Sequence, residues 1–134
     1  MMKTSRRTFV GTLLAACLTG AGLLLRAGSA AAKKVAIDLS KLPGLEKVGG
    51  SAIVSIKKNK ILFIRTSEDE ITALKPECTH QKCAVQYKKK WGQIRCTCHG
   101  SRFTTTGKVQ NGPADKDLRT YPTKIEDGKL VVKI

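Results

Sequence analysis

The stretches Cys78-Thr-His-Gln-Lys-Cys83 and Cys96-Thr-Cys-His-Gly-Ser101 decide how this chain is read. Each holds a cysteine, a histidine and one further cysteine. Two Cys and two His make a set of metal ligands, and two thiols are left over: Cys83 in the first stretch and either Cys96 or Cys98 in the second. The surplus pair can close a disulfide between the stretches. Usual zinc spacing leaves two to four residues between paired ligands, whereas Cys78 and His80 are separated by one. Zinc also gives no reason for extra cysteines beside the ligands.

Around these stretches, residues 33–134 read as short β-branched runs separated by polar or Gly-bearing turns. Ser51–Ile56 and Ile61–Ile64 form a strand pair about the turn at 57–60, and Glu70–Leu74 is a third strand. Ala84–Tyr87 and Gln93–Cys96 flank a turn at 88–92. Thr123–Glu126 and Leu130–Ile134 flank Asp127-Gly128, whose residues supply the positive φ of a tight hairpin. No sustained helical period follows the first thirty residues, so the fold expected is small and all-β. The lysine groups at 57–60 and 88–90 fall at hairpin tips and read as solvated turns. Trp91 with Gly92 is expected to cover the core, Tyr87 and Tyr121 to pack within it, and Gly107 and Gly112 to serve turns.

The chain divides into a leader, 1–32, and one domain, 33–134. Four of the 25 basic residues and none of the 10 acidic ones lie in the leader, so 21 basic against 10 acidic leaves the domain at +11. A domain of this size buries a modest core, which a metal cluster or a disulfide reinforces. The charge points to acidic partners or anionic surfaces. Nucleic acid is set aside: an exported protein rarely meets it, and three Phe, two Tyr and one Trp are few for stacking on bases.

Ser5-Arg6-Arg7-Thr8-Phe9-Val10 resembles the twin-arginine export signal, which serves proteins folded and loaded with cofactor before they cross the membrane. The apolar run from Thr8 to Leu25 is about 18 residues, at the border between a secretory segment and a membrane span. It is cut after Ala30-Ala31-Ala32, or kept as an N-terminal anchor with a hinge at 27–32, or cut at Leu14-Ala15-Ala16-Cys17 with a lipid on Cys17. Each places the domain outside the cytoplasm, at the periplasmic face of the inner membrane or in the periplasm, where a disulfide persists.

The two cysteine–histidine stretches, with 17 residues between Cys78 and Cys96, are similar to those of the Rieske 2Fe-2S proteins in the disulfide-bearing form of cytochrome bc complexes. That family's pattern is Cys-x-His-x-x-Cys, then Cys-x-Cys-His-Gly-Ser. Gly112-Pro113-Ala114, Leu118-x-x-Tyr121 and the terminal hairpin also match, so the likeness runs from Ile53 to Ile134. It implies a small antiparallel β-sandwich with a cluster-binding subdomain of two ligand loops, holding one 2Fe-2S cluster. Carried across, Cys78 and Cys96 bind one iron, His80 and His99 the other, and Cys83 pairs with Cys98.

The resemblance also implies roles nearby. Ser101 matches the hydroxyl that bonds a bridging sulfide. Phe103 stands where many ubiquinol-linked members have a Tyr that reaches a ligand sulfur, which implies a lower potential and a donor such as menaquinol. Pro113 shields the cluster from water. Gln81 follows the first histidine where an apolar docking residue is common, and Lys82 stands where Gly is frequent; together they give a polar rim to the docking surface.

The function implied is an electron-transfer subunit that accepts an electron from quinol at a cytochrome b and passes it to a c-type haem, with no catalysis by the isolated domain. The alternatives are the small Rieske subunit of a periplasmic molybdenum oxidase of the arsenite oxidase kind, or a solitary soluble carrier. Ferredoxins of aromatic-ring oxygenases fit less well, being cytoplasmic and usually without the second cysteine pair.

Overall fold

The computed structural model describes residues 31–134. The readings of the leader as export signal, anchor or lipid site lie outside those residues. Among the described residues there are eleven strands and two 3-10 turns, and no helix long and apolar enough to cross a membrane. In chain order the strands are β1 (Lys34–Asp38), β2 (Ser51–Ile56), β3 (Asn59–Arg65), β4 (Ile71–Leu74), β5 (Val85–Lys88), β6 (Gln93–Cys96), β7 (Arg102–Thr104), β8 (Val109–Asn111), β9 (Thr120–Tyr121), β10 (Thr123–Glu126) and β11 (Lys129–Lys133). They form three antiparallel sheets, ordered β1-β11-β10, β2-β3-β4-β9 and β5-β6-β7-β8.

Local chemistry sets the hairpins. Asp127 and Gly128 both take positive φ (48° and 71°), so Glu126 pairs directly with Lys129. The β2–β3 turn is tighter than the expected 57–60: Ile56 pairs with Asn59, and Lys57 alone takes positive φ. The turn after β5 is a 3-10 segment, Lys89–Trp91, ended by Gly92 in the left-handed region at φ 56°.

The run Ile61-Leu-Phe-Ile64 is buried throughout, at 2% exposure or less. A strand of an antiparallel sheet with one face in water would alternate apolar and polar. Here alternate residues face two separate cores. Ile61 and Phe63 pack with Ile71, Ala73, Leu130 and Val132, whereas Leu62 and Ile64 pack with Leu74, Val85, Ile94 and Phe103. Strand β3 therefore has apolar packing on both faces, and truncating Phe63 to Ala is expected to cost about 3–5 kcal/mol. Tyr121 packs in the first core and Tyr87 against the second, as expected.

This arrangement positions the two loops that carry the cysteines and histidines. Residues 75–77 lead from β4 to the first loop, an isolated bridge between Glu77 and Ala84 closes its base, and the chain continues into β5. The second loop joins β6 to β7. Because Val85 pairs with Cys96, the end of one loop and the start of the other lie side by side.

Candidate metal centre

The two loops are built alike. In the first, Cys78 N–H donates to the Cys83 carbonyl (2.7 Å) and Lys82 N–H to the Cys78 carbonyl (2.9 Å). In the second, Cys96 N–H donates to the Ser101 carbonyl (2.9 Å) and Gly100 N–H to the Cys96 carbonyl (3.2 Å). Each loop thus closes on the cysteine that begins it. Closure needs a left-handed residue near the far end: Gly100 supplies it at φ 79°, and Lys82 is held in it at φ 61°. Thr79 Oγ1 donates to the Lys116 carbonyl (2.6 Å) and ties the first loop to the segment after Pro113.

Side by side, the loops sort their donors by burial. Cys78 and Cys96 are 1% and 3% exposed, both with free thiols, and pack with Val85, Ile94 and Phe103. His80 and His99 stand exposed, their ring centroids 5.0 Å apart and their planes nearly perpendicular. Cys83 and Cys98 form a disulfide with Cα atoms 6.4 Å apart. That pairing decides between Cys96 and Cys98, which spacing alone leaves open. The sulfurs of Cys83, Cys96 and Cys98 lie within 4.8 Å of one another, so the bridge abuts a free thiol.

Burial opposes ionisation of the Cys78 thiol. The His80 backbone, the Cys96 and Ser101 side chains and the Gln81 backbone outweigh it, and the pKa lies below the ordinary cysteine value. Ser101 is fully buried, and its Oγ accepts the Ala114 N–H at 3.0 Å. With that lone pair engaged, its own proton is left to donate toward sulfur. The donor set therefore fits an iron–sulfur cluster: two buried thiols, one already disposed to ionise, face two exposed imidazoles, with a hydroxyl at the sulfur side.

Other expected residues fall as follows. Gln81 and Lys82 are exposed, following His80 in the first loop. Phe103 is fully buried among the residues that pack on Cys78 and Cys96. Pro113 is exposed, and its neighbour Ala114 makes the contact with Ser101. Gly107 takes φ 86°, and a Cβ there would meet Leu74 Cδ2 at 2.6 Å, so a side chain at this turn would strain the backbone and displace Leu74; Gly112 is under neither constraint. Trp91 corrects the sequence reading: it is 52% exposed, and its ring is covered by the Arg95 guanidinium at 4.4 Å instead of covering the core. The tying roles of Thr79 and Ala114 escaped that reading because each joins a side-chain hydroxyl to a backbone group, Thr79 to the Lys116 carbonyl and the Ala114 N–H to Ser101, across separations that only folding closes.

Comparison with known proteins agrees with this geometry. Residues 38–122 match the Rieske 2Fe-2S domain. The chain is 35% identical over 106 residues to the cytochrome b6-f complex iron-sulfur subunit of Chlorobaculum tepidum, covering 77% of this chain and 58% of that one. It resembles the crystal structure of a cyanobacterial plasma membrane Rieske protein from Synechocystis PCC 6803 at 36% identity and TM-score 0.58, covering 63% of this chain and 86% of that one. A chain of a hyperthermophilic respiratory complex III is similar at 30% identity and TM-score 0.57, with 71% of each covered. The chain spans a little over half the length of the curated relatives it matches.

Proposed function

The chain belongs to the Rieske 2Fe-2S family and carries one Rieske-type cluster, and on that premise we propose that it is an exported electron-transfer subunit of a quinol:cytochrome c oxidoreductase of the bc type. Cys78 and Cys96 serve as the thiolate ligands and His80 and His99 as the imidazole ligands. The observation that carries the reading is the pairing of two exposed imidazoles with two buried thiols across disulfide-tied loops.

When bound, the cluster supplies a one-electron couple at a potential raised, relative to all-cysteine ligation, by two neutral imidazoles. The chain's residues do the rest. His80 and His99 stand at the exposed edge, where a ring nitrogen left free by the metal would hold a proton released by a quinol hydroxyl as the electron is taken up. Cys78 and Cys96, packed beneath, keep water from the sulfur side. Ser101 donates toward sulfur and so favours the more negative, reduced state, raising the potential. Phe103 lacks the hydroxyl that would add a second such bond, which suits a low-potential donor such as menaquinol. Gln81 and Lys82 give the docking edge a polar, cationic rim. The electron leaves to a c-type haem, on the periplasmic side reached through the twin-arginine leader.

An EPR spectrum of the dithionite-reduced protein, with redox titration of the same signal, tests this. A rhombic signal of low average g, titrating in the Rieske range, is expected. An EPR-silent protein with one zinc per chain would overturn it.

A further inference from the structure

From Cys78 to Ala114 the chain has seven Lys and Arg residues and no acid. Much of the domain's net charge thus sits on the half that holds the ligand loops. On the β5-β6-β7-β8 sheet, Val85, Ile94 and Phe103 turn inward to the core, so their strand neighbours turn outward. Gln86 lies opposite Arg95, and Arg95 opposite Arg102. Like charges directly opposite on one sheet face repel unless an anion lies between them.

No such anion is supplied by the described residues. All four of their ion pairs use lysines, none of them on this face. Arg95 is held in place by stacking on Trp91, and its Nε is covered without a hydrogen-bond acceptor. A groove of about 320 Å³ opens here, walled by Lys88, Trp91, Arg95 and Arg102 and bordered by Cys96, Thr97 and Gly100 of the second loop. Neither His80 nor His99 lines it.

We propose that this groove is a docking site for a protein partner, taking an Asp or Glu carboxylate of an acidic redox protein against Arg95 and Arg102. A guanidinium fork matches a carboxylate in two hydrogen bonds. Trp and Arg are also the residue types that anchor protein interfaces. A planar lipid surface meets protruding cations first, whereas Arg95 is half-buried against the Trp91 ring, with Arg102 opposite it across the sheet. A partner seated there lies on the flank of the Cys96 loop and leaves the histidine edge open. The inference deepens the electron-transfer reading above by adding a second contact surface.

Trp91 is the chain's sole tryptophan, so its fluorescence reports on this groove. The full cluster-loaded chain is titrated at low salt with a hexaglutamate peptide while Trp91 emission is read. A saturable change is expected, weakened about fivefold by Arg102→Gln. Lys57→Gln/Lys58→Gln, on a separate hairpin, should stay within about twofold of the parent. Arg95→Gln is read by isothermal titration calorimetry, because loss of the Trp91 stack alters emission by itself, and a similar weakening is expected. Equal weakening by the 57/58 and 102 variants would reduce the effect to net charge and overturn the site. So would saturation by sodium acetate at matched carboxylate concentration, stronger binding to phosphatidylglycerol vesicles, or no saturable change. Any of these with the Rieske EPR signal intact removes the docking site and leaves the electron-carrier reading standing; loss of the EPR signal in the parent removes that reading independently of the titration.

Discussion

Replacing Cys83 and Cys98 together by serine removes the covalent tie between the ligand loops while each keeps its own backbone closure. Changing both is cleaner than changing one, because a lone Cys98 thiol would remain within 4.8 Å of Cys96 and compete with it for metal. The two cysteines are 15 residues apart, and the chain-entropy cost of a loop of that length is about 3 kcal/mol. The β5–β6 ladder holds the loop bases together in the folded state, so the loss falls mainly on the unfolded chain and on opening of the loops. At about 4–8 °C per kcal/mol for a domain of this size, thermal unfolding should fall by about 12–24 °C. If the whole tie bears on loop opening, cluster release should quicken by about two orders of magnitude. The assay is loss of visible circular dichroism at fixed temperature in the presence of an iron chelator, beside a melting curve. A double-serine protein that melts and releases iron like its parent would refute the reasoning.

Lys82→Gly should stabilise the first loop by about 0.5–1 kcal/mol, since relief of left-handed strain outweighs the added freedom of the unfolded chain; a lower denaturant midpoint would count against it. Ser101→Ala strands the Ala114 N–H and removes a donor to sulfur, so stability should drop by about 1–3 kcal/mol and the midpoint potential should fall. Phe103→Tyr should raise the potential in a voltammetric titration, and an unchanged value would dismiss the missing-hydroxyl argument. Asp117 accepts from Lys108 Nζ and Val109 N–H, which hold its carboxyl below the ordinary value. Its contribution is therefore present above the unfolded carboxylate pKa, about 3.9, and fades as the pH falls through the lower folded value. Asp117→Asn should flatten the stability curve in that acid window, as read by urea unfolding at several pH values.

The sequence exposed those parts of the fold whose signal is local. Ile61–Ile64 reads as a strand from its β-branched and aromatic run, and Asp127-Gly128 declares its turn. What stayed hidden depends on partners far along the chain. The strands β7, β8 and β9 are three, three and two residues long, too short to show a period. Strand β1 carries its alternation in Val35 and Ile37, close behind a leader of different character. At the site, the demands of metal ligation made the four donors and the surplus thiols conspicuous. The choice between Cys96 and Cys98 had to come from family likeness, because both lie within one short loop. Arg95, a residue of β6 four positions beyond Trp91, gives no hint in sequence that its guanidinium will cover the indole, so the ring reads as part of the core.

The two-faced burial of β3 bears on how the molecule breathes. Its amides lie in the shared wall of both cores, so their hydrogen exchange should proceed only through global unfolding, at the full stability of the domain. The ligand loops hang from strand ends beyond that wall and can open locally. Slow exchange in Ile61–Ile64 beside faster exchange at 78–83 and 96–101 would separate a foldon that persists from one that yields to admit the metal.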